Sequence, residues 1–429
     1  MRTWTNPVKN VAWILTLLAA TTSSVALAKA PARRAKGAAP QGAPATKPSS
    51  SAVTKPTAAS ATAPVASSAS GPAVDCNERK NRNENGACKS AFKENTLGTG
   101  PHLFDQPGLS QDWANGYVDV AGNRLIVGGR WGDGDEKLGA LISVDMSNGN
   151  RRVISGAAVS DPRRGSTVTG AGDELGQVRG VAAMPGNAAV VMSSLQSGRV
   201  DPMQLVRVDL ATGARTSFWR ADGKKGAACT PPIGASFNMY PGQIATDPSG
   251  NVYVLGGTAG VGSGVFKVSP DGTKCTVVSF AGSSLASANH RGQGPDWSTS
   301  SLQDVIVRDG KMFILDPGTR ALYKVDMANG DREIVTRHGS PNTVGTGPYI
   351  ALTGIDRLSD GCFVTQDNEL VVMVDPQSGN RTKLDVANNW GPTRWQVWAI
   401  PNSHFGIAAT VMGFVKVDFN TGNANLLSN

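Results

Sequence analysis

The sequence predicts an all-β protein, a six-bladed β-propeller of four-stranded antiparallel blades behind a signal peptide and a disordered linker. Three observations carry that reading. A short unit, apolar-x-Val-Asp-x-x-x-Gly, recurs along the chain. A second turn-centred unit precedes each copy. Long amphipathic helical patterns are scarce.

The first unit occurs at Val144-Asp145 with Gly149, Val208-Asp209 with Gly213, Val325-Asp326 with Gly330, Val374-Asp375 with Gly379, and Val417-Asp418 with Gly422. A degenerate copy sits at Val268-Ser269, with Gly272 one residue early. Each reads as a β-hairpin. The alternating run before the Asp is a half-buried strand. The Asp or Ser side chain opens the turn by accepting backbone N–H groups, and the Gly supplies a positive φ. The upstream unit is a second hairpin, as in "QIATDPSGNVYVLGG" and "DVIVRDGKMFILD". Five of its six copies carry Gly at the turn, and the sixth uses Pro401-Asn402-Ser403. Two hairpins make four strands, and six such units can bury their faces only against one another in a ring.

The rest of the chain is organised around that ring. Residues 1–28 read as a secretory signal peptide: Arg2 and Lys9, the apolar run "VAWILTLLAA", and a small-x-small site at Ala26-Leu27-Ala28. The run is too short for a membrane span. Residues 29–75, built of Ala, Pro, Ser, Thr, Gly and Lys, read as a disordered linker, because nothing there can bury enough apolar surface to offset ordering entropy. Residues 76–99 form an N-terminal extension, and residues 100–429 the propeller. We therefore expect a secreted or periplasmic monomer.

The formal charge of +8 does not point to nucleic acid. Residues 1–75 hold eight Lys or Arg against Asp75 alone, a net of +7, which leaves +1 for the remainder. Five cysteines suit an exported chain. Cys76 with Cys88 and Cys229 with Cys275 are the expected disulfides, and Cys362 is left over. No Cys-x-x-Cys occurs, so neither a zinc site nor a thioredoxin-like redox site is indicated.

The Val-Asp-x-x-x-Gly units and the Asp247-Pro248-Ser249-Gly250-Asn251 turn resemble the six-bladed propellers of the NHL, streptogramin-lyase and gluconolactonase/regucalcin group, over roughly residues 100 to 429. The resemblance implies the architecture. It also implies a possible activity, metal-dependent lactonase chemistry, in which Glu, Asn and Asp from inner strands hold one divalent cation such as calcium. The group's early Glu-Gly-Pro-x-Trp signature is absent here, and Asp304 or Asp316 would supply at most one carboxylate each. Lyase chemistry of the same group would add a His base, for which His290 and His338 sit in suitable loops. Asp133, Asp135 and Glu136 lie together but lack the alternating acidic pattern of a calcium loop. No Gly-x-Ser-x-Gly marks a nucleophilic serine.

Binding residues are expected at the mouth of the central channel where the long connections lie: 156–177, 219–241, 281–301, 337–352 and 386–395. The starts of the inner strands place Arg179, Gln243, Gln303, Asp304 and Gln396 there. Connections on the same face add Asp316, Arg320, Trp297 and Trp395, with Trp219, Tyr349 and His338 nearby. Aromatics beside Arg and Asp suit a sugar, peptide or glycan. The expected function is a module that binds a small molecule, an envelope polymer or a protein, without a cofactor. The alternatives are a metal-dependent hydrolase or lyase and a tethered structural element.

Overall fold

The structure is a computed structural model that describes Thr99 and residues 116–131, 138–158, 167–194, 203–229, 244–258, 262–282, 291–298, 302–339, 342–349, 354–367, 370–386, 393–410 and 413–428. Cys76 and Cys88 fall outside these residues, as do the signal peptide and linker expected from the sequence.

The described strands form six antiparallel sheets, each from one continuous stretch of chain. Blade 1 holds β1 (Gly116–Asp119), β2 (Arg124–Trp131), β3 (Leu138–Asp145), β4 (Arg151–Ala158) and β5 (Thr167–Thr169). Blade 2 holds β6 (Gln177–Met184), β7 (Ala188–Ser194), β8 (Met203–Asp209) and β9 (Arg215–Arg220). Blade 3 holds β10 (Ile244–Thr246), β11 (Val252–Thr258), β12 (Gly262–Val268) and β13 (Cys275–Gly282). Blade 4 holds β14 (Asp304–Arg308), β15 (Lys311–Asp316), β16 (Ala321–Val325) and β17 (Arg332–Arg337). Blade 5 holds β18 (Ile355–Arg357), β19 (Phe363–Asp367), β20 (Leu370–Val374) and β21 (Arg381–Leu384). Blade 6 holds β22 (Thr393–Ala399), β23 (Phe405–Thr410), β24 (Gly413–Asp418) and β25 (Ala424–Ser428).

The sixfold reading of the sequence is the fold. Blade 1 differs in one respect: its outgoing connection folds back as β5 and pairs with β4, so this blade has a fifth strand. The inner strands β1, β6, β10, β14, β18 and β22 neighbour one another in that order, and β22 returns to β1. One apolar cluster fills each of the six seams between blades, including the closing seam, where Trp398, Ile407 and Phe414 pack on Leu125, Val127 and Ile142. Alternation makes this possible, since successive side chains of a strand face opposite neighbours.

The Val-Asp-x-x-x-Gly turn works as its chemistry requires. Asp145 accepts the Ser147 N–H on its side chain at 2.7 Å, and its carbonyl accepts the Gly149 N–H at 2.8 Å. At Gly213, with φ 74°, an added Cβ would stand 2.2 Å from Ile154 O, so only glycine fits.

That turn also ties the blades together. The residue two beyond the turn glycine is Arg151, Arg215, Arg332 or Arg381 in four blades, and each side chain is buried in a seam. Arg332 Nη1 donates to Ser279 Oγ of blade 3 at 3.0 Å, and Ser279 Oγ donates to the turn carbonyl Gly330 O at 2.7 Å. Arg215 with Ser155 and Gly213 repeats the arrangement, as do Arg381 with Thr336 and Gly379, and Arg151 with Ser428 and Gly149. The last of these latches closes the ring between blades 6 and 1. Burial lowers the pKa of all four guanidinium groups from the ordinary value.

In blade 3 the position of the arginine is Cys275, and the expected Cys229–Cys275 disulfide is present, with Cα atoms 4.9 Å apart. Cys362, expected to be left over, is disulfide-bonded too. The expected Cys76–Cys88 ring lies outside the described residues.

Candidate functional site

The six inner strands enclose a channel with a cavity of about 330 Å³. Its lining includes Val118, Val181, Ile244, Val307 and Ile355, and it reaches Ala183, Thr246, Arg308 and Pro401 beside the tight hairpin turns. That is the end opposite the long connections. None of the predicted contact residues that are described lines it. Arg308 and Asp356 do, and sequence reasoning passed over both. The signal available was a charged residue within a short inner strand, Arg308 closing "DVIVR" and Asp356 inside "IDR".

The predicted residues have other placements. Asp304 is fully buried and spans two blades: Oδ1 accepts the Val305 N–H at 2.7 Å and Oδ2 the Ile355 N–H at 2.8 Å. Burial pushes its carboxyl well above the usual range, and the nearby Asp356 carboxylate adds to the rise. Asp356 repeats the link one blade on, its Oδ2 accepting the Ala399 N–H at 2.9 Å. Asp316, also buried, accepts N–H groups of Ser298 and Gly318 and the Thr319 hydroxyl. Gln303 and Gln396 are buried as well, and Arg179 is half-buried. Gln243 and the Trp395 side chain lie outside the described residues.

Asp304 and Asp316 thus accept backbone N–H groups, and among the described residues no group of three His, Cys, Asp or Glu converges.

Two of the tryptophans expected on loops belong to seams. Trp297 is 3% exposed, donates its indole N–H to Ser263 O at 2.9 Å, and lies edge-on to Tyr323 and under Arg332. Trp219 is 1% exposed and donates to Ala227 O at 2.8 Å.

Arg320 is different, and it builds an exposed cluster on blade 4. Asp316 caps the turn after β15, which carries the chain to Arg320 at φ 54°, a conformation uncommon for a residue with a Cβ. The Arg320 carbonyl accepts the His338 N–H at 3.0 Å. Its guanidinium lies 5.0 Å from the centre of the Tyr349 ring. The His338 ring meets the same tyrosine edge-on at 5.1 Å and 83°. Tyr349 is 39% exposed, and Val120 is its only equal among the large apolar side chains described. His338 Nδ1 is buried with no hydrogen-bond partner. Neighbouring Pro348 O accepts from Arg381 of blade 5, so the cluster sits on the seam between blades 4 and 5. It offers an open aromatic face, a guanidinium stacked on it and an imidazole at its edge.

No family model matches this chain, and no curated protein matches it. Solved structures do. One is a protein of unknown function from Bacteroides thetaiotaomicron, 12% identical over 74% of this chain and 72% of that one, with a TM-score of 0.44. Another is a candidate gluconolactonase, 12% identical over 71% and 87%, with a TM-score of 0.42. A third is a chain of a nidogen–laminin complex, 10% identical over 69% and 98%, with a TM-score of 0.39. The likeness to all three is one of fold.

Proposed function

We propose that this propeller is an exported binding module that meets its ligand with the long-connection face, and that Tyr349, Arg320 and His338 are part of that surface. The observation that carries the reading is the exposed Tyr349 ring held between a guanidinium and an imidazole. Most other large apolar side chains described are buried in seams. An open ring suits the apolar face of a sugar, and Arg320 beside it suits a carboxylate or other acceptor. The Cys229–Cys275 disulfide agrees with an oxidising compartment, where an envelope polymer is the natural ligand.

The test is a binding isotherm with soluble muropeptides. Wild type is expected to bind, and Tyr349→Ala and Arg320→Ala are each expected to weaken binding about tenfold, or about 1.4 kcal/mol, without changing Tm. Binding unchanged in both variants would remove this surface from the ligand site.

A further inference from the structure

We infer that the Asn150-Arg151 turn of blade 1 is a docking slot for a Gly-x-Gly peptide segment, and that the chain's own Thr99, which precedes every blade, is an exchangeable occupant of it. The same slot is built in three other blades, where a connection within the ring fills it. Those connections carry Gly170-Ala171-Gly172, Gly292-Gln293-Gly294 and Gly345-Thr346-Gly347. In each, the middle residue meets the latch arginine of the next blade through its backbone. Ala171 O accepts the Arg215 N–H at 2.8 Å, Gln293 O the Arg332 N–H at 2.7 Å, and Thr346 O the Arg381 N–H at 2.7 Å. The side chain just before the arginine can add to this. Asn380 Oδ1 accepts the Thr346 N–H at 2.8 Å and the Thr346 hydroxyl at 2.9 Å, and Asp331 Oδ1 accepts the Gln293 N–H at 2.7 Å. Both flanking glycines are needed. At Gly345, with φ 75°, an added Cβ would stand 1.9 Å from Gly379 O, and at Gly347, with φ 115°, 1.9 Å from Arg381 O.

Blade 1 comes first in the chain, so no connection between blades leads into its slot, yet the slot is filled. Thr99 O accepts the Arg151 N–H at 2.7 Å, and the Thr99 N–H and hydroxyl donate to Asn150 Oδ1 at 2.8 and 3.0 Å. Bond for bond this is the Thr346 arrangement, and the sequence matches it too: Gly98-Thr99-Gly100-Pro101 against Gly345-Thr346-Gly347-Pro348. The two differ in how they are tethered. Thr346 lies between β17 and β18 and is fixed from both sides. No described strand precedes Thr99, so its own bonds to the turn hold it there. A separate peptide with the same Gly-Thr-Gly-Pro run can therefore take its place.

This slot is independent of the Tyr349 surface, so either can fail alone. The probe is a synthetic peptide of residues 94–104, titrated calorimetrically into the full chain. Thr99→Pro removes the N–H and the hydroxyl that meet Asn150, which should empty the slot, and this variant is expected to bind the peptide at about millimolar concentration or better. Wild type is expected to bind it at least about tenfold more weakly, because its tethered segment competes at high effective concentration. The same peptide carrying Gly98→Ala and Gly100→Ala is expected not to bind the variant. Hydrogen exchange gives a second measure, which stands even if Thr99→Pro should fold poorly. Asn150→Ala should speed exchange of the Arg151 N–H about tenfold, and Asn380→Ala should speed that of the Arg381 N–H far less. Equal binding of the peptide by wild type and Thr99→Pro, no binding by Thr99→Pro, equal binding of the alanine peptide, or an unchanged Arg151 exchange rate in Asn150→Ala overturns the proposal.

Discussion

The seam between blades 3 and 4 and the seam between blades 2 and 3 do the same job with different chemistry. At the first, Arg332 reaches from the turn of one blade to Ser279 of the other, and also donates to Pro295 O and Arg291 O. At the second, Cys275 stands where the arginine would be and is bonded to Cys229. Trp219 stands where the hydroxyl would be, and the turn carbonyl, Gly272 O, takes its hydrogen bond from the Ala227 N–H instead. The seam between blades 5 and 6 resembles the second more than the first. It has Ala424 at the arginine position, and Cys362, also disulfide-bonded, lies in its apolar cluster. A repeat protein needs every seam closed, but each seam can be closed independently. The four latched seams use buried polar bonds, the seam between blades 2 and 3 uses a disulfide with apolar packing, and the seam between blades 5 and 6 uses apolar packing.

Three experiments sharpen or break this contrast. The largest effect is expected from Arg332→Ala. It takes the donor from Ser279 Oγ and Pro295 O, while Arg291 O keeps the Phe280 N–H, and with about 1–3 kcal/mol for each orphaned buried group a loss of about 2–5 kcal/mol should appear in denaturant unfolding. Arg332→Lys should rescue little, because an ammonium cannot reproduce the fork. A loss below about 1 kcal/mol would mean that the latch merely accompanies the apolar seam. Next comes the double variant Cys229→Ser/Cys275→Ser, expected to cost about 2–4 kcal/mol, since the bridge closes a span of 46 residues. If reducing agent shifts the wild-type midpoint no further than it shifts the double variant's, the bridge does not hold that seam.

The smallest effect concerns the odd turn of blade 3. Here the usual Asp is Ser269, and Asp271 takes over its role. Bonds from the Ser269 hydroxyl, and then from the Thr273 N–H and hydroxyl, hold the Asp271 carboxyl down at about 2. A carboxylate depressed on folding adds stability that is complete above the ordinary Asp range and is lost as pH falls toward its folded value. Stability should therefore decline between about pH 4 and 2, and Asp271→Asn should flatten that part of the profile slightly. An identical acid profile for the variant would show that the turn does not contribute.

Much of this was legible beforehand because it is local. Val208-Asp209 with Gly213 announces a hairpin whatever surrounds it, since the carboxylate, the amides it caps and the glycine's positive φ lie within five residues. The arginines of the latches were equally visible, two residues beyond each turn glycine, but their meaning was not. A surface strand and a seam strand carry the same Gly-x-Arg, and only the neighbouring blade supplies Ser279 or Thr336. The candidate contacts show the same limit. Asp304 opens an inner strand and Gln303 precedes it, as expected, whereas Gln396 lies inside β22, and burial turns Asp304 onto the N–H of the next blade. Trp297 was placed on a connection, and that connection folds into a seam.

By itself, then, the chain determined the hairpins, their number and the need for a closed ring, because alternation, turn chemistry and repeat length act over a few residues at a time. The tertiary structure alone decided which polar groups became fasteners and which stayed open to solvent. Whether a carboxylate, a guanidinium or an indole meets backbone, water or a ligand depends on atoms brought in from the adjacent blade, 40 to 60 residues away in sequence for Arg215, Arg332 and Arg381, and no local pattern encodes that encounter.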